Sequence, residues 1–256
     1  MKFIIKSTLF AIAFFYLLSV VTTNRSRRTK TATKTKNPNL FQIYSNWANA
    51  GNGDVASLSA LNVQCGSGSA LASFHLDRSV ENIRYEAKCI AQEGISSKVS
   101  EHSTPANVHN GSGGSTNFLD RHHLICPEGS LIQQFQLQKE GNKIKYNYKC
   151  VEALIDGKCY KKYTSWTEGG KNYNNYYLDR QTASVGNLNH QAIGGFRLLT
   201  EYPSFSFFRT NKVNYRYEIL VCNLKPAPGK PVLNFAGDEL DSLERNKDTK
   251  RKYRRH

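Results

Sequence analysis

A cysteine-bounded unit recurs along this chain at a fixed interval, and that repeat restricts the fold more than any other feature. Between Cys126 and Cys150, Phe135 and Leu137 alternate with Gln134, Gln136 and Gln138; Ile144, Tyr146, Tyr148 and Cys150 then alternate with Lys143, Lys145, Asn147 and Lys149. A period of two marks strands with one buried and one wet face, and Glu140-Gly141-Asn142 between the runs supplies turn residues. The unit predicts a β-hairpin whose ends a disulfide can tie. Sixty-one residues earlier, Cys65, Gly68, Leu71, Phe74, Leu76, Ile83, Tyr85 and Cys89 repeat it position for position. Sixty-one residues later it returns as Ile193, Phe196 and Leu198, then Val213, Tyr215 and Tyr217 after a longer loop. In this third copy Asn187 replaces the first cysteine, and Cys222 falls one step off the apolar face, as a β-bulge would produce.

The segment leading into the unit recurs too. Leu119-Asp120-Arg121 matches Leu178-Asp179-Arg180, Leu58 holds the place in the first copy, and Trp47 and Trp166 lie at similar distances upstream. These spacings give three repeats, about 47–91, 108–153 and 166–225, within a β domain spanning 39–225. One such unit cannot bury its apolar face alone and must pack on its copies. Closure into an all-β, pseudo-threefold structure leaves fewer sheet edges to protect than an open array.

The formal net charge of +15 is concentrated outside that domain. Residues 24–36 contribute six, residues 245–256 a net six, and Lys2 and Lys6 two, so the body carries only about +1. The apolar run from Leu9 to Val21 is shorter than the roughly 20 residues of a membrane span and suits a signal peptide over 1–23, with an uncleaved anchor as the alternative. Residues 24–38 form a basic linker expected to be disordered, in which Arg25-Ser26-Arg27-Arg28 also resembles a processing site. After the domain, 226–256 form a Pro-containing linker and a basic tail whose Lys250, Arg251, Lys252, Arg254 and Arg255 suit polyanions. On an exported chain the expected partners are extracellular glycans or sulphated polyanions, or another matrix or surface protein. Nucleic acid is not expected, nor a membrane span once the signal is cleaved.

Six cysteines in an exported chain imply a disulfide framework with fifteen possible connectivities. Equal spacing at equivalent positions favours Cys65 with Cys89 and Cys126 with Cys150, leaving Cys159 and Cys222 to pair by elimination. Zinc is not indicated, because closely spaced cysteine pairs are absent.

The segment from Ser96 to Asn117 is rich in turn formers and reads as a surface loop, with Asn110 as a glycosylation acceptor. The stretch before the third unit carries Tyr163, Trp166, Tyr173, Tyr176 and Tyr177 among Gly and Asn, either to stack on sugars or to cover the base of the core. Tyr202, Phe205, Phe207 and Phe208 extend the third hairpin loop as a contact patch or as further packing. Asp120-Arg121 and Asp179-Arg180 suit inter-repeat latches or, in a threefold lectin, ligand contacts. His122 and His123 are adjacent, so a strand sends them to opposite faces and they do not share a metal. Motifs of hydrolases, metalloproteases and phosphate-binding loops are absent, so neither catalysis nor a cofactor is expected. A polysaccharide hydrolase, the remaining enzymatic alternative, needs two carboxylates facing one cleft.

Cys126-Pro127-Glu128-Gly129 with Phe135 and Leu137 is similar to the repeat of the vitelline membrane outer layer proteins, and the cysteine loop closing on Tyr146, Tyr148 and Cys150 resembles the dermatopontin repeat. The resemblance implies a β-prism-like body, a place in an extracellular coat or matrix, and no catalytic residues. The expected protein is therefore a secreted glycan- or polyanion-binding protein, with a protein-protein adhesion or structural matrix module as the alternative.

Overall fold

The computed structural model describes residues 39–108, 114–169, 174–202 and 213–225. The signal segment, the basic linker, the C-terminal tail, Asn110, Tyr173 and the Phe205, Phe207 and Phe208 loop lie outside the described residues.

Each repeat contributes five strands in the same order. The first supplies β1 (Asn39–Tyr44), β2 (Ala48–Asn49), β3 (Asn62–Gln64), β4 (Ser69–Ser79) and β5 (Asn82–Ala91). The second supplies β6 (Ile95–Ser103), β7 (Asn107–Val108), β8 (His123–Ile125), β9 (Ser130–Glu140) and β10 (Lys143–Ala153). The third supplies β11 (Tyr160–Tyr163), β12 (Thr167–Glu168), β13 (Thr182–Ser184), β14 (Gln191–Glu201) and β15 (Asn214–Asn223). A six-residue 3-10 turn precedes the third strand of each repeat, at Val55–Ala60, Thr116–Arg121 and Asn175–Arg180.

The strands form three five-stranded antiparallel sheets, each built on one predicted hairpin: β4-β5, β9-β10 and β14-β15. The three-residue strands do not join the sheet of their own repeat. Instead β3 pairs with β9, β8 with β14, and β13 with β4, so every sheet receives one strand from the preceding repeat in cyclic order. Backbone hydrogen bonds within the sheets thus link all three repeats.

The alternating apolar residues face one shared core. Phe74, Phe135 and Phe196, one per sheet, form a near-equilateral triangle with ring centroids 4.7–5.1 Å apart. Around it Tyr85 touches Phe135 at 5.4 Å, Tyr146 touches Phe196 at 6.4 Å and Tyr217 touches Phe74 at 5.2 Å, so each sheet's tyrosine leans on another sheet's phenylalanine. Most of these contacts are edge-on, the arrangement the ring quadrupole favours. Burial pushes all three phenols above their ordinary range.

Three disulfides join Cys65 to Cys89, Cys126 to Cys150 and Cys159 to Cys222, the pairing that repeat spacing and elimination favour. The displacement of Cys222 has a different origin from the expected bulge. The bulge lies on the first strand of every hairpin, at Ala72, Gln133 and Gly194, while β15 pairs without interruption. Val221 occupies the register of Cys89 and Cys150, opposite Ile193, so the one-residue step turns Cys222 to the other face of the strand. There it meets Cys159, which immediately precedes the outer strand β11. Gly194 makes room, because a Cβ at that position would stand 2.7 Å from the Cys222 Sγ.

A second correction concerns the 96–117 segment, which contains β6 and β7 rather than only a loop. The outer strands β1, β6 and β11 all begin before the repeat bounds read from the sequence. They pair along one side only, and β6 is exposed or half-buried throughout, so apolar alternation cannot announce it.

The hairpin turns of the first and second repeats differ at one matched position. Gly141 adopts φ +62°, whereas its counterpart Val80 holds φ +53° as a β-branched residue that is 89% exposed. A left-handed conformation costs an L-residue about 1–2 kcal/mol. Val80→Gly should therefore raise the unfolding free energy by about 1 kcal/mol, despite the entropy glycine loses on folding. Phe135→Ala should lower it by about 3–5 kcal/mol. Urea titrations of both variants check these values, and an unchanged midpoint for Phe135→Ala would contradict the central role of the triangle.

Candidate ligand-binding surfaces

The 3-10 turns present most of the polar and aromatic residues singled out in the sequence. Leu58, Leu119 and Leu178 anchor the turns in the core. Asp179 pairs with Arg78 of β4 at 3.3 Å, and Asp120 accepts a 2.6 Å hydrogen bond from Thr200 of β14. Each aspartate thus reaches from its own turn to the sheet of another repeat. The adjacent arginines hold their own repeat: Arg121 donates to the Val108 carbonyl and covers the Phe118 ring, while Arg180 donates to the Glu168 carbonyl and covers Tyr177. Tyr176 lies beneath Arg78, and both Tyr176 and Tyr177 are half-buried against the core. Asp120, Arg121, Asp179, Arg180, Tyr176 and Tyr177 accordingly make intramolecular contacts that latch turns to sheets. Partly exposed pairs of this kind contribute little individually.

His122 and His123 face opposite ways, as their adjacency requires. His122 is buried and bonded through Nδ1 to Thr104 Oγ1 at 2.8 Å, and the same hydroxyl accepts the Tyr146 N–H at 2.9 Å. Burial, with Arg121 nearby, holds the imidazole below its usual range and favours the neutral ring. Among the described residues no group of three His, Cys, Asp or Glu side chains is placed to hold a metal ion.

Trp166 belongs to a different arrangement. The Arg216 guanidinium lies 4.3 Å from its ring centroid and 4.5 Å from that of Tyr163, so the cation stacks on both. Sheet one repeats the device: Arg84 stands 4.3 Å from Tyr44 and 4.3 Å from Trp47. The second sheet has Ser103, Lys145 and Ala106 at the same places. Both tryptophans keep an exposed edge. The common Tyr-x-x-Trp spacing was a readable signal, but the arginine lies far away in sequence and the pairing does not follow from composition.

Next to Arg216 on the wet face of the third sheet, Glu218 is buried among donors. It accepts from Arg197 at 3.0 Å and Tyr163 at 3.1 Å and pairs with Lys161 at 3.2 Å. Burial alone would raise its carboxyl, but the bonds from Arg197, Lys161 and Tyr163 outweigh that effect and hold it below the usual carboxylate range.

The wet face of the second sheet has another character. An open groove of about 400 Å³ runs across β6, β10 and β9, lined by Gln134, Gln136, Gln138 and Asn147 with the Lys149–Glu101 ion pair at its margin. Gln134 Nε2 donates to Asn62 and Gln136 Nε2 to the Ser59 carbonyl. Gln134 Oε1 has no hydrogen-bond donor, and the Gln138 and Asn147 side chains make no hydrogen bond among the described residues. The sequence contained this ladder only as the polar half of an alternating pattern. The use of one residue type at three successive wet positions was its signal.

No family model matches the chain, and neither a curated protein nor a solved structure matches it.

The Glu218 cluster gives a pH test. A carboxyl whose folded pKa is depressed stabilises the fold above its unfolded pKa, and that contribution disappears as pH falls through the folded value. Glu218→Gln should cost about 2 kcal/mol at pH 7. Below pH ~4.5, the ordinary carboxyl range, the difference from the native chain should shrink. Thermal or denaturant unfolding across pH 3–7 measures both, and a pH-independent gap would remove the charge from the explanation.

Proposed function

We propose that this chain is a secreted, non-enzymatic extracellular binding or coat protein whose three sheets enclose a β-prism-like body and whose second sheet recognises glycans through its outer groove. The observation that carries this reading is that Gln138 and Asn147 line one groove with side chains that make no hydrogen bond among the described residues, beside the second Nε2 proton of Gln134. Each primary amide offers a donor and an acceptor side by side, a set that matches neighbouring sugar hydroxyls. A volume of about 400 Å³ accommodates a ligand of one or two sugar rings. Three disulfides suit an oxidising compartment, which supports the secreted assignment. The basic tail residues Lys250, Arg251, Lys252, Arg254 and Arg255 supply a separate, salt-sensitive attraction to sulphated polyanions.

Protein adhesion is a second reading, favoured by one observation: a trough of about 580 Å³ beside β6 exposes Val99 and Leu154 together. An apolar strip next to a nine-residue edge strand suits strand addition by another chain.

Binding of the full chain to an array of neutral and sulphated glycans at two salt concentrations tests the principal reading. Neutral glycans should bind independently of salt, and Gln134→Ala/Gln138→Ala should weaken them at least tenfold while leaving sulphated ligands in place. Retention of neutral binding by that variant would move the site elsewhere, and absence of any glycan binding would leave the adhesion reading.

A further inference from the structure

The stacked arginines of the first and third sheets share one geometry but differ in their counter-ion. In the first sheet Asp77 stands directly across from Arg84 in the strand register, and its Oδ2 receives both Nε and Nη2 of Arg84 at 2.9 Å. The cation is thus stacked on Tyr44 and Trp47 and neutralised from the neighbouring strand. In the third sheet the residue across from Arg216 is Leu199. Arg216 Nε is buried with no hydrogen-bond partner, and Arg216 forms no ion pair among the described residues. The nearest carboxylate on its own strand, Glu218, is engaged by Arg197, Lys161 and Tyr163. Glu201 and Glu168 oppose Asn214 in the strand register, and neither bonds to Arg216 among the described residues.

We propose that Arg216, clasped between Tyr163 and Trp166, is an oxyanion-binding site for an acidic sugar residue, with the ligand's carboxylate or sulphate taking the place that Asp77 fills beside Arg84. The Nη groups, which are not closed off, meet the oxyanion first, and the buried Nε joins them once the Leu199 side chain yields, completing the paired donation that Asp77 already receives in the first sheet. Leu199 leaves the position above that fork without a carboxylate. The exposed edges of Tyr163 and Trp166 offer the rest of a sugar ring an apolar surface. The second sheet cannot do this, since Lys145 lacks the aromatic clasp and pairs with Glu140 at 2.5 Å. The inference rests on the glycan-binding reading and extends it to a second, charge-selective site on a different sheet.

The internal comparison supplies both a blocking and an opening substitution. Leu199→Asp places a carboxylate across from Arg216 and should lower affinity for trigalacturonate and for a sulphated disaccharide by at least tenfold, because an internal partner occupies the fork. Asp77→Leu frees Arg84 and should add one trigalacturonate site per chain to those of the native protein. Isothermal titration of both probes against the full-length native chain and both variants reads these effects, with the basic tail present equally in all three. The uronate and sulphate arms tell which oxyanion the site prefers. Neutral oligosaccharide binding serves as the separate readout for the amide groove. Its absence would refute that groove without touching this site, provided acidic binding is present and lost in Leu199→Asp. Equal acidic binding by native chain and Leu199→Asp, no acidic binding by the native chain, or equal affinity for a triglutamate peptide would each overturn the proposal. Should Leu199→Asp fail to fold, an unchanged stoichiometry in Asp77→Leu would overturn it alone.

Discussion

The contact among Phe74, Phe135 and Phe196 is the constraint on which the remaining architecture depends. Three rings meeting at 4.7–5.1 Å require that three hairpins present the same residue at the same height. The matched height of Phe74, Phe135 and Phe196 is kept even where the third hairpin's loop lengthens, since Tyr217 still reaches Phe74. The tyrosines then lock the order of the sheets, because each ring rests on another sheet's phenylalanine rather than only on its own. The exchanged strands β3, β8 and β13 continue the same cycle in hydrogen bonds. Burial and backbone pairing therefore specify one closed arrangement, and neither term is complete within a single repeat.

Symmetry inside leaves the outside free to vary. Along the wet faces the equivalent positions read Ser73, His75 and Asp77 in the first sheet, Gln134, Gln136 and Gln138 in the second, and Gly195, Arg197 and Leu199 in the third. None of these residues contributes to the central packing, so each sheet carries a different chemistry on the same frame. Size is compensated where the core does differ. Tyr215 replaces the isoleucines Ile83 and Ile144, and Gly169 supplies the space, since a Cβ there would stand 2.0 Å from the tyrosine ring.

The central hairpins were legible because alternation, spacing and cysteine position agreed on them. The outer strands were not: β6 is exposed or half-buried along its whole length and mostly polar, and an edge strand gains its place from one partner's backbone rather than from its side chains. The exchanged strands are three residues long, too short for any period to register, and their destination in another sheet is a tertiary fact. Cys222 illustrates the same limit. Its one-residue displacement was visible, but whether it reflected a bulge or a change of face depended on which strand carried the irregularity. Among the candidate site residues, Trp166 could be singled out by type, whereas the significance of Leu199 exists only across from Arg216.

Cyclic strand exchange has a consequence for how such a body can be assembled at all. A chain containing a single repeat would offer one short strand and lack one, and would satisfy both needs only by joining two further copies in a ring. The present chain is the covalent equivalent of that trimer. Linking the copies removes the dependence of folding on concentration and, because the three segments no longer need to be identical, permits three unlike faces where a true trimer would display one face three times.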